Sequence, residues 1–252
     1  MKNIGLSQSI NEIERLTSEA ARARDKISSL TMLDQDAEFI SLGFNCSTAH
    51  YLREIGLRKA AYPFDWVFAS PEIIIDACND SFNAFMDKAQ WSQHPNVNAV
   101  THKRYHEYFF THKDPLNITA DFDYYRRASD RFIESLNSDK QLCFVITPIT
   151  EPEKRQRWAQ GFTQIVKRPS LTGVASVWEL IRHLKSLHNN SKFIVVEHYT
   201  QRALEASVLN IQKDLVHLRF CAGGESSGKK FIEEYDDHSF KIMLSGLNAN
   251  LN

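Results

Sequence analysis

Cys46 is the residue of this chain best placed to act as a nucleophile. It follows a short apolar run, residues 39–42, and a glycine, Gly43. The capping residues Asn45 and Ser47 flank it, and apolar residues continue at helical spacing beyond it. The pattern predicts a strand, a tight turn and a helix, with Cys46 at the helix N-terminus. Because free N–H groups and the helix dipole stabilise a thiolate there, we expect a lowered thiol pKa.

The same turn offers a second requirement of acyl transfer, a site for negative charge on oxygen. The backbone N–H groups around Gly43, Asn45 and Cys46 are expected to point at the oxyanion that forms when sulfur attacks a carbonyl carbon. The alternative is a buried cysteine that packs as a small apolar residue and does no chemistry.

The candidate general base lies in a histidine-rich region. Residues 105–112 read as a strand with alternating faces, one of which carries His106 and His112. A histidine at the end of such a strand can reach a thiol across a cleft, so His112 is the predicted base. His106 is the reserve.

A metal centre is not expected in this region. His102 and His106 are four residues apart, as two zinc ligands on a helix would be, but no glutamate follows His102 directly. The neighbouring Lys103 and Arg104 would also repel a cation.

Two carboxylates are candidates for orienting the histidine. Asp65 is flanked by aromatic residues, where a carboxylate is either desolvated and reactive or held in a hydrogen-bond network. A purely structural role for Asp65, bonding nearby backbone amides, is the alternative. Asp114 stands two residues after His112. Pro63, two residues before Asp65, predicts an edge or turn position for this segment.

Three short segments resemble a known family: residues 41–46, 62–66 and 110–114. They are similar to a bacterial family of uncharacterised proteins described as "putative papain-like cysteine peptidases", over about residues 38–147. The resemblance implies a Cys/His hydrolase or acyltransferase in which Cys46 and His112 form the pair. It also implies relatives among surface-polysaccharide biosynthesis proteins, some of them similar to coenzyme A-dependent acyltransferases. Lys113 separates His112 from Asp114, where the resemblance leads us to expect adjacent residues.

A glycine-rich loop near the C-terminus resembles a phosphate-binding loop. Residues 223–229 match the pattern Gly-x-x-x-x-Gly-Lys and follow a predicted strand, residues 215–220. Lys230 replaces the magnesium-binding serine or threonine, so nucleotide hydrolysis is not expected. A flexible surface loop is the simpler interpretation, although Lys229 could hold the phosphates of coenzyme A. Further on, His238 follows two aspartates and is an alternative acid–base group.

Predicted strands and helices alternate along most of the chain. Strands are predicted at residues 39–42, 142–147, 193–198 and 215–220, and helices at residues 71–77, 121–136 and 174–188. The order predicts an α/β fold, with a mainly parallel sheet between helical layers. The family resemblance implies a papain-like α+β fold as the alternative. Residues 151–172, which are polar and basic, are predicted to form an exposed insertion or lid.

The N-terminal region is predicted to be a helical appendage. Apolar residues recur at three- and four-residue steps over residues 7–30. We therefore divide the chain into residues 1–35, an amphipathic helix with its connector, and residues 36–252, a single α/β catalytic-type domain. The helix is expected either to lie on its own domain or to pair with a second copy in a homodimer.

Composition limits the classes of function. Hydrophobic residues make up 42% of the 252 residues, and 30 Lys and Arg balance 31 Asp and Glu to a net charge of −1. No overall field therefore attracts nucleic acid or an anionic membrane. The four cysteines have no paired spacing and no apolar run is long enough for a membrane span, so a cytoplasmic location is expected.

The sequence therefore supports two hypotheses of function. The first is a cysteine-dependent acyl hydrolase or acyltransferase acting on a small-molecule, glycan or other acyl substrate, with no required cofactor and with coenzyme A as a possible acyl donor. The second is a catalytically inactive binding or scaffold protein of a glycan-assembly system. An enzyme should have one thiol that reacts far faster than the other three.

Overall fold

A computed structural model describes residues 9–29, 33–151, 161–162 and 174–248. The strands are β1 (Glu38–Ser41), β2 (Trp91–Gln93), β3 (Val100–His102), β4 (His106–Phe110), β5 (Leu142–Ile146), β6 (Ser191–Tyr199), β7 (Glu205–Gln212) and β8 (Leu215–Cys221). The helices are α1 (Ile10–Ser28), α2 (Ser47–Glu54), α3 (Pro71–Asn79), α4 (Asn83–Met86), α5 (Thr119–Leu136), α6 (Val174–Leu187) and α7 (Glu234–Ser245), with a short 3-10 turn at Lys88–Gln90.

The main sheet has five strands in the order β1-β5-β6-β8-β7. β1, β5, β6 and β8 are parallel, whereas β7 is antiparallel to β8. The predicted α/β class with a mainly parallel sheet is confirmed, and the papain-like α+β alternative is not what we observe. β7 was not predicted, because it is an edge strand whose last four residues are exposed and whose sequence lacks a continuous apolar run.

Apolar residues on the two faces of the sheet belong to two separate cores. Phe144 and Val195 pack into one core, whereas their neighbours Val145 and Ile194 pack into the other. The first core receives side chains from α3, α5 and α6, and the second from α1, α2 and α7. Because successive strand residues point to opposite faces, continuous apolar strands produce this three-layer arrangement.

A second sheet, which is antiparallel and has the strand order β2-β3-β4, is separate from the parallel sheet. β4 begins at His106 and ends at Phe110, so the predicted strand over residues 105–112 is shorter than expected. Its last two residues, Phe109 and Phe110, are both buried, which breaks the predicted alternation of faces. A β-bridge joins Phe110 to Val67 and connects this sheet to the turn that contains Asp65.

The N-terminal helix α1 lies against its own chain. A capping box formed by Ser9 and Glu12 starts the helix, and Leu16 and Ala20 on its apolar face are fully buried. The face packs on α7 and β7, and Arg15 donates a hydrogen bond to the Leu204 carbonyl oxygen at 2.9 Å. The apolar face that suggested a homodimer is thus covered within the chain. The domain division at residue 35 stays a prediction.

Two of the predicted segments fall partly outside the described residues. The predicted insertion over residues 151–172 is described only at residues 151, 161 and 162, and the predicted N-terminal helix and connector lack residues 7, 8 and 30–32. Among the helices that the structure does describe, none combines the length and the apolar character that crossing a membrane requires.

Candidate active site

The turn between β1 and α2 lies at the carboxyl end of the parallel sheet. Its backbone continues the pairing with the neighbouring strand, since the Leu42 N–H donates to the Val145 carbonyl oxygen at 2.9 Å and the Phe44 N–H to that of Thr147 at 3.3 Å. Gly43 lies between these two residues. A Cβ atom at Gly43 would lie 2.0 Å from Thr48 Oγ1, so only glycine lets α2 pack this closely on the strand end.

Asn45 and Cys46 form the start of α2, as predicted. Oδ1 of Asn45 accepts hydrogen bonds from the Ser47 N–H at 3.1 Å and the Ser47 hydroxyl at 2.8 Å. Cys46 is the N-cap residue of the helix and is half-buried. Among the described residues, its own N–H has no acceptor other than the Cys46 sulfur, so it can donate to an oxyanion that forms beside that sulfur.

His112 lies next to Cys46. It follows β4 by two residues, and Nε2 of its imidazole lies 3.1 Å from Sγ of Cys46. The bridge between Val67 and Phe110 fixes the end of β4 against the turn that precedes α3. His112 is exposed and Cys46 is half-buried, so the pair lies at the protein surface and the sulfur is its more buried member.

Burial keeps both members of the pair neutral. It raises the pKa of the Cys46 thiol to about 11, although the Cys46 N–H and Lys229 act in the opposite direction. Partial desolvation, followed by the charge of Lys229, lowers the pKa of His112. At rest the thiol and the imidazole are therefore both neutral, and the imidazole tautomer decides which of them donates in their contact. The expectation of a lowered thiol pKa is wrong, because loss of solvation outweighs the helix N-terminus.

An aromatic ring, and not a carboxylate, contacts the imidazole. The rings of Trp66 and His112 meet edge to face with their centroids 6.1 Å apart. In the part of the chain that the structure describes, Nδ1 of His112 has no hydrogen-bond partner. Trp66 also lies under the guanidinium groups of Arg53 and Arg58, at 5.8 and 5.7 Å from the ring centroid.

Asp65 does not contact His112. Its Oδ2 accepts hydrogen bonds from both Nε and Nη2 of Arg58, at 2.8 and 2.6 Å, and from the Tyr62 N–H at 2.9 Å. Full burial raises the pKa of Asp65 to about 6, opposed mainly by Arg58. Asp65 thus holds the turn and the guanidinium group of Arg58 that lies over Trp66, which is the structural role that the sequence left open.

Asp114 is also engaged elsewhere. Its Oδ1 accepts from the Asn117 N–H at 3.0 Å, and its own N–H donates to Asp121. Asp121 in turn pairs with Lys113 at 2.9 Å. A cavity of about 180 Å³ is lined by Lys113, Asp114 and Asp121 together with His112. The described residues therefore contain no carboxylate that orients the imidazole.

The two alternative histidines do not reach Cys46. His106 is buried, stacks on Phe68 with ring centroids 4.9 Å apart, and accepts the Tyr108 N–H at Nδ1. His238 is exposed on α7. The aspartate two positions before it, Asp236, binds the N–H groups of the glycine-rich loop and not a histidine.

Sequence reasoning missed three groups around the pair. Trp66 was noted only as part of a similar segment, Lys229 only as part of a phosphate-loop pattern, and His50 not at all. His50 lies one helical turn after Cys46, a spacing that places both on one face of α2 and that could have identified it. The approach of Lys229 and Trp66 depends on contacts that are distant in sequence.

Comparison with known proteins places the pair inside a recognised region. A family model described as "Putative papain-like cysteine peptidase (DUF1796)" matches residues 37–177, which contain Cys46 and His112. An uncharacterized protein of Acanthamoeba polyphaga mimivirus is 28% identical over 141 aligned residues, covering 45% of this chain and 62% of that protein. The chain thus matches less than two thirds of the relative's length. No solved structure is significantly similar to it.

Proposed function

We propose that this chain, which belongs to the family described as putative papain-like cysteine peptidases, hydrolyses an acyl substrate with Cys46 as nucleophile and His112 as general base. The contact of 3.1 Å between Sγ and Nε2 carries this proposal. A nucleophile within hydrogen-bond reach of a base is the arrangement that covalent acyl transfer requires.

The first half of the reaction forms an acyl enzyme. Sγ of Cys46 attacks the carbonyl carbon of the substrate while Nε2 of His112 takes the thiol proton. Negative charge develops on the carbonyl oxygen, where the Cys46 N–H can donate to it. When the carbon–heteroatom bond breaks, the imidazolium returns its proton to the leaving group, and a thioester on Cys46 remains.

The second half releases the acid. A water molecule donates a proton to the neutral His112 and attacks the thioester carbonyl carbon. The tetrahedral intermediate collapses, the carbon–sulfur bond breaks, and the proton returns from the imidazolium to sulfur. The exposed position of His112 supports this step, because water reaches the imidazole directly.

The neutral resting pair supports base catalysis over a preformed ion pair. A lowered pKa keeps the imidazole of His112 unprotonated at neutral pH, which a base needs. The raised pKa of Cys46 means that the proton leaves sulfur only as the new bond forms. The Trp66 ring takes the place of an orienting carboxylate by restricting rotation of the imidazole.

Transfer of the acyl group to an acceptor other than water is the second candidate. The cavity beside His112, lined by Lys113, Asp114 and Asp121, favours it by leaving room for a polar acceptor next to the base. Coenzyme A thioesters are suitable donors, because the first step is the same with a thiol as leaving group.

Acetylation by p-nitrophenyl acetate tests the proposal without knowledge of the substrate. We expect a burst of p-nitrophenol and an acetyl adduct on Cys46, absent in Cys46→Ala and at least tenfold slower in His112→Ala. Cys78→Ala is the matched control and keeps the burst. Equal acetylation of Cys46 and Cys78 would instead support an inactive binding protein of a glycan-assembly system.

A further inference from the structure

We propose that an anionic group of the substrate, a carboxylate or a phosphate, binds beside Cys46 against the ammonium group of Lys229 and the imidazole of His50. This inference rests on the proposed function and adds a substrate class to it. The substrate would carry its negative charge next to the carbonyl group that Cys46 attacks.

The loop that carries Lys229 extends from the end of β8, at the same edge of the sheet as Cys46. Carboxyl ends of parallel strands meet at one edge, so the loops after β1 and β8 share it. The Phe231 N–H donates to the hydroxyl oxygen of Tyr51 on α2 at 2.9 Å. Lys229 is thereby held two residues from a contact with the helix that begins at Cys46.

Hydrogen bonds also hold the beginning of this loop, at Gly223 and Gly224. The N–H groups of Gly223 and Gly224 donate to the two carboxylate oxygens of Asp236, at 3.2 and 2.9 Å. Asp236 is fully buried, so its carboxylate occupies these two N–H groups within the protein. The N–H groups of both glycines are therefore bonded within the protein, and the exposed Lys229 side chain is the cationic group of this loop that faces a ligand near Cys46.

Lys229 differs from the other lysines near the site in having no acidic partner. Lys113 pairs with Asp121 and Lys241 with Asp237, whereas no carboxylate lies within 4.0 Å of the Lys229 ammonium among the described residues. Its charge nevertheless acts on three side chains, Cys46, His50 and His112. It lowers the pKa of each, because a nearby cation favours the thiolate and disfavours the two imidazolium ions. An unpaired cation next to a nucleophile attracts an anion.

His50 is a buried histidine whose imidazole nitrogens are both unsatisfied among the described residues. Its side chain is 6% exposed, yet neither Nδ1 nor Nε2 has a hydrogen-bond partner. The His50 N–H donates to the Cys46 carbonyl oxygen at 3.0 Å, so the two side chains emerge from one face of α2. Buried polar groups without partners are costly, and a ligand that accepts a hydrogen bond from His50 would remove that cost.

Nearby carboxylates do not cancel the cation. Asp237 accepts a hydrogen bond from the Tyr51 hydroxyl at 2.8 Å and pairs with Lys241 at 2.7 Å. Glu54 lies 3.8 Å from the same Lys241 ammonium and 3.7 Å from the Arg53 guanidinium. Both are thus balanced by their own cations, and Lys229 keeps its positive charge for a ligand.

The test compares two alkylating reagents of the same shape and different charge. Iodoacetate carries a carboxylate and iodoacetamide is neutral, so the ratio of their rates at Cys46 reports attraction of an anion. We expect this ratio to fall by roughly threefold or more in Lys229→Met. Lys230→Met is the matched control, because Lys230 lies in the same exposed loop but acts on Asp237. It should keep the wild-type ratio.

Further measurements separate this inference from the proposed function. The iodoacetamide rate alone tests whether Cys46 is a nucleophile, whereas the ratio tests the anion site. In Cys46→Ala, sodium phosphate should raise the Tm relative to sodium chloride of equal ionic strength, and adding Lys229→Met should make this rise smaller, whereas adding Lys230→Met should not. An unchanged ratio in Lys229→Met, or an equal fall in Lys230→Met, would overturn the anion site even if Cys46 reacts.

Discussion

Sγ of Cys46 lies 3.1 Å from Nε2 of His112, although 66 residues separate them in the chain. The cysteine follows β1, at the carboxyl end of the parallel sheet, and the histidine follows β4 of the antiparallel sheet. The bridge between Val67 and Phe110 connects the second sheet to the turn beside α2. The candidate site thus depends on the relative placement of two sheets.

The pH dependence of Cys46 alkylation follows from the neutral pair. Because His112 takes the thiol proton as the new bond forms, the iodoacetamide rate should change little from about pH 7 to pH 9 and should rise only as the thiol ionises towards its pKa of about 11. His112 accepts a proton only when it is neutral. Because its pKa is lowered, the rate should fall only below pH 6.5, where His112 becomes protonated. Asp65, which also acts on the thiol, gains a proton as the pH falls towards its raised pKa of about 6.

Mass spectrometry of each cysteine at each pH makes this measurement. His112→Ala should slow Cys46 by roughly tenfold or more at neutral pH and leave Cys78 unchanged. A Cys46 rate that already equals the rate of a fully ionised thiol at about pH 5 would show a thiolate–imidazolium pair instead, and would contradict the neutral pair.

Trp66 is expected to position the imidazole. In Trp66→Leu, His112 loses its edge-to-face contact, and acetylation of Cys46 by p-nitrophenyl acetate should fall by about tenfold. Trp66→Phe should recover part of the rate. The control is Trp178→Leu. Trp178 lies on α6 and makes a similar edge-to-face contact with His217, with the ring centroids 5.8 Å apart. A Trp66→Leu protein that reacts at the wild-type rate would exclude a positioning role.

Gly43→Ala should destabilise the turn. The new Cβ would lie 2.0 Å from Oγ1 and 2.7 Å from Cβ of Thr48, and such overpacking costs about 1–3 kcal/mol in the free energy of unfolding. Thr48→Ala removes the nearest atom and should restore part of the stability in the double variant. Urea denaturation measures both, and a Gly43→Ala protein as stable as wild type would show that α2 shifts freely.

Asp65 should make stability depend on pH in a defined direction. Burial raises its pKa from 3.8 to about 6, so between these values the folded protein binds the proton that the unfolded chain releases. Wild type should therefore lose stability relative to Asp65→Asn as pH rises from about 4 to 6, by at most about 3 kcal/mol.

Urea denaturation of both proteins across this pH range gives the difference directly. Asp214→Asn should show the opposite trend, and at lower pH: Lys192 lowers the pKa of Asp214, so its stabilisation is present above about pH 4 and is lost as the pH falls below that value. A constant difference between wild type and Asp65→Asn from pH 4 to 7 would show that Arg58 keeps Asp65 ionised throughout.

Local patterns determined the frame of the site. The apolar run before Gly43, the capping residues around Cys46 and the helical spacing after it identified the strand, the turn and the helix, because side-chain period and cap chemistry act within a few residues. Continuous apolar runs likewise predicted β5, β6 and β8, and hence the mainly parallel sheet. The family resemblance selected His112 as the candidate partner of Cys46.

Tertiary structure decided what the sequence left open. Of the three candidate histidines, His112 contacts Cys46, and His106 and His238 do not. Asp65 and Asp114 bind groups in their own turns and do not contact the imidazole. Tertiary structure also reversed the expected shift of the thiol pKa. The reason is that solvation and charge depend on which distant segments cover a group, and no spacing along the chain records this.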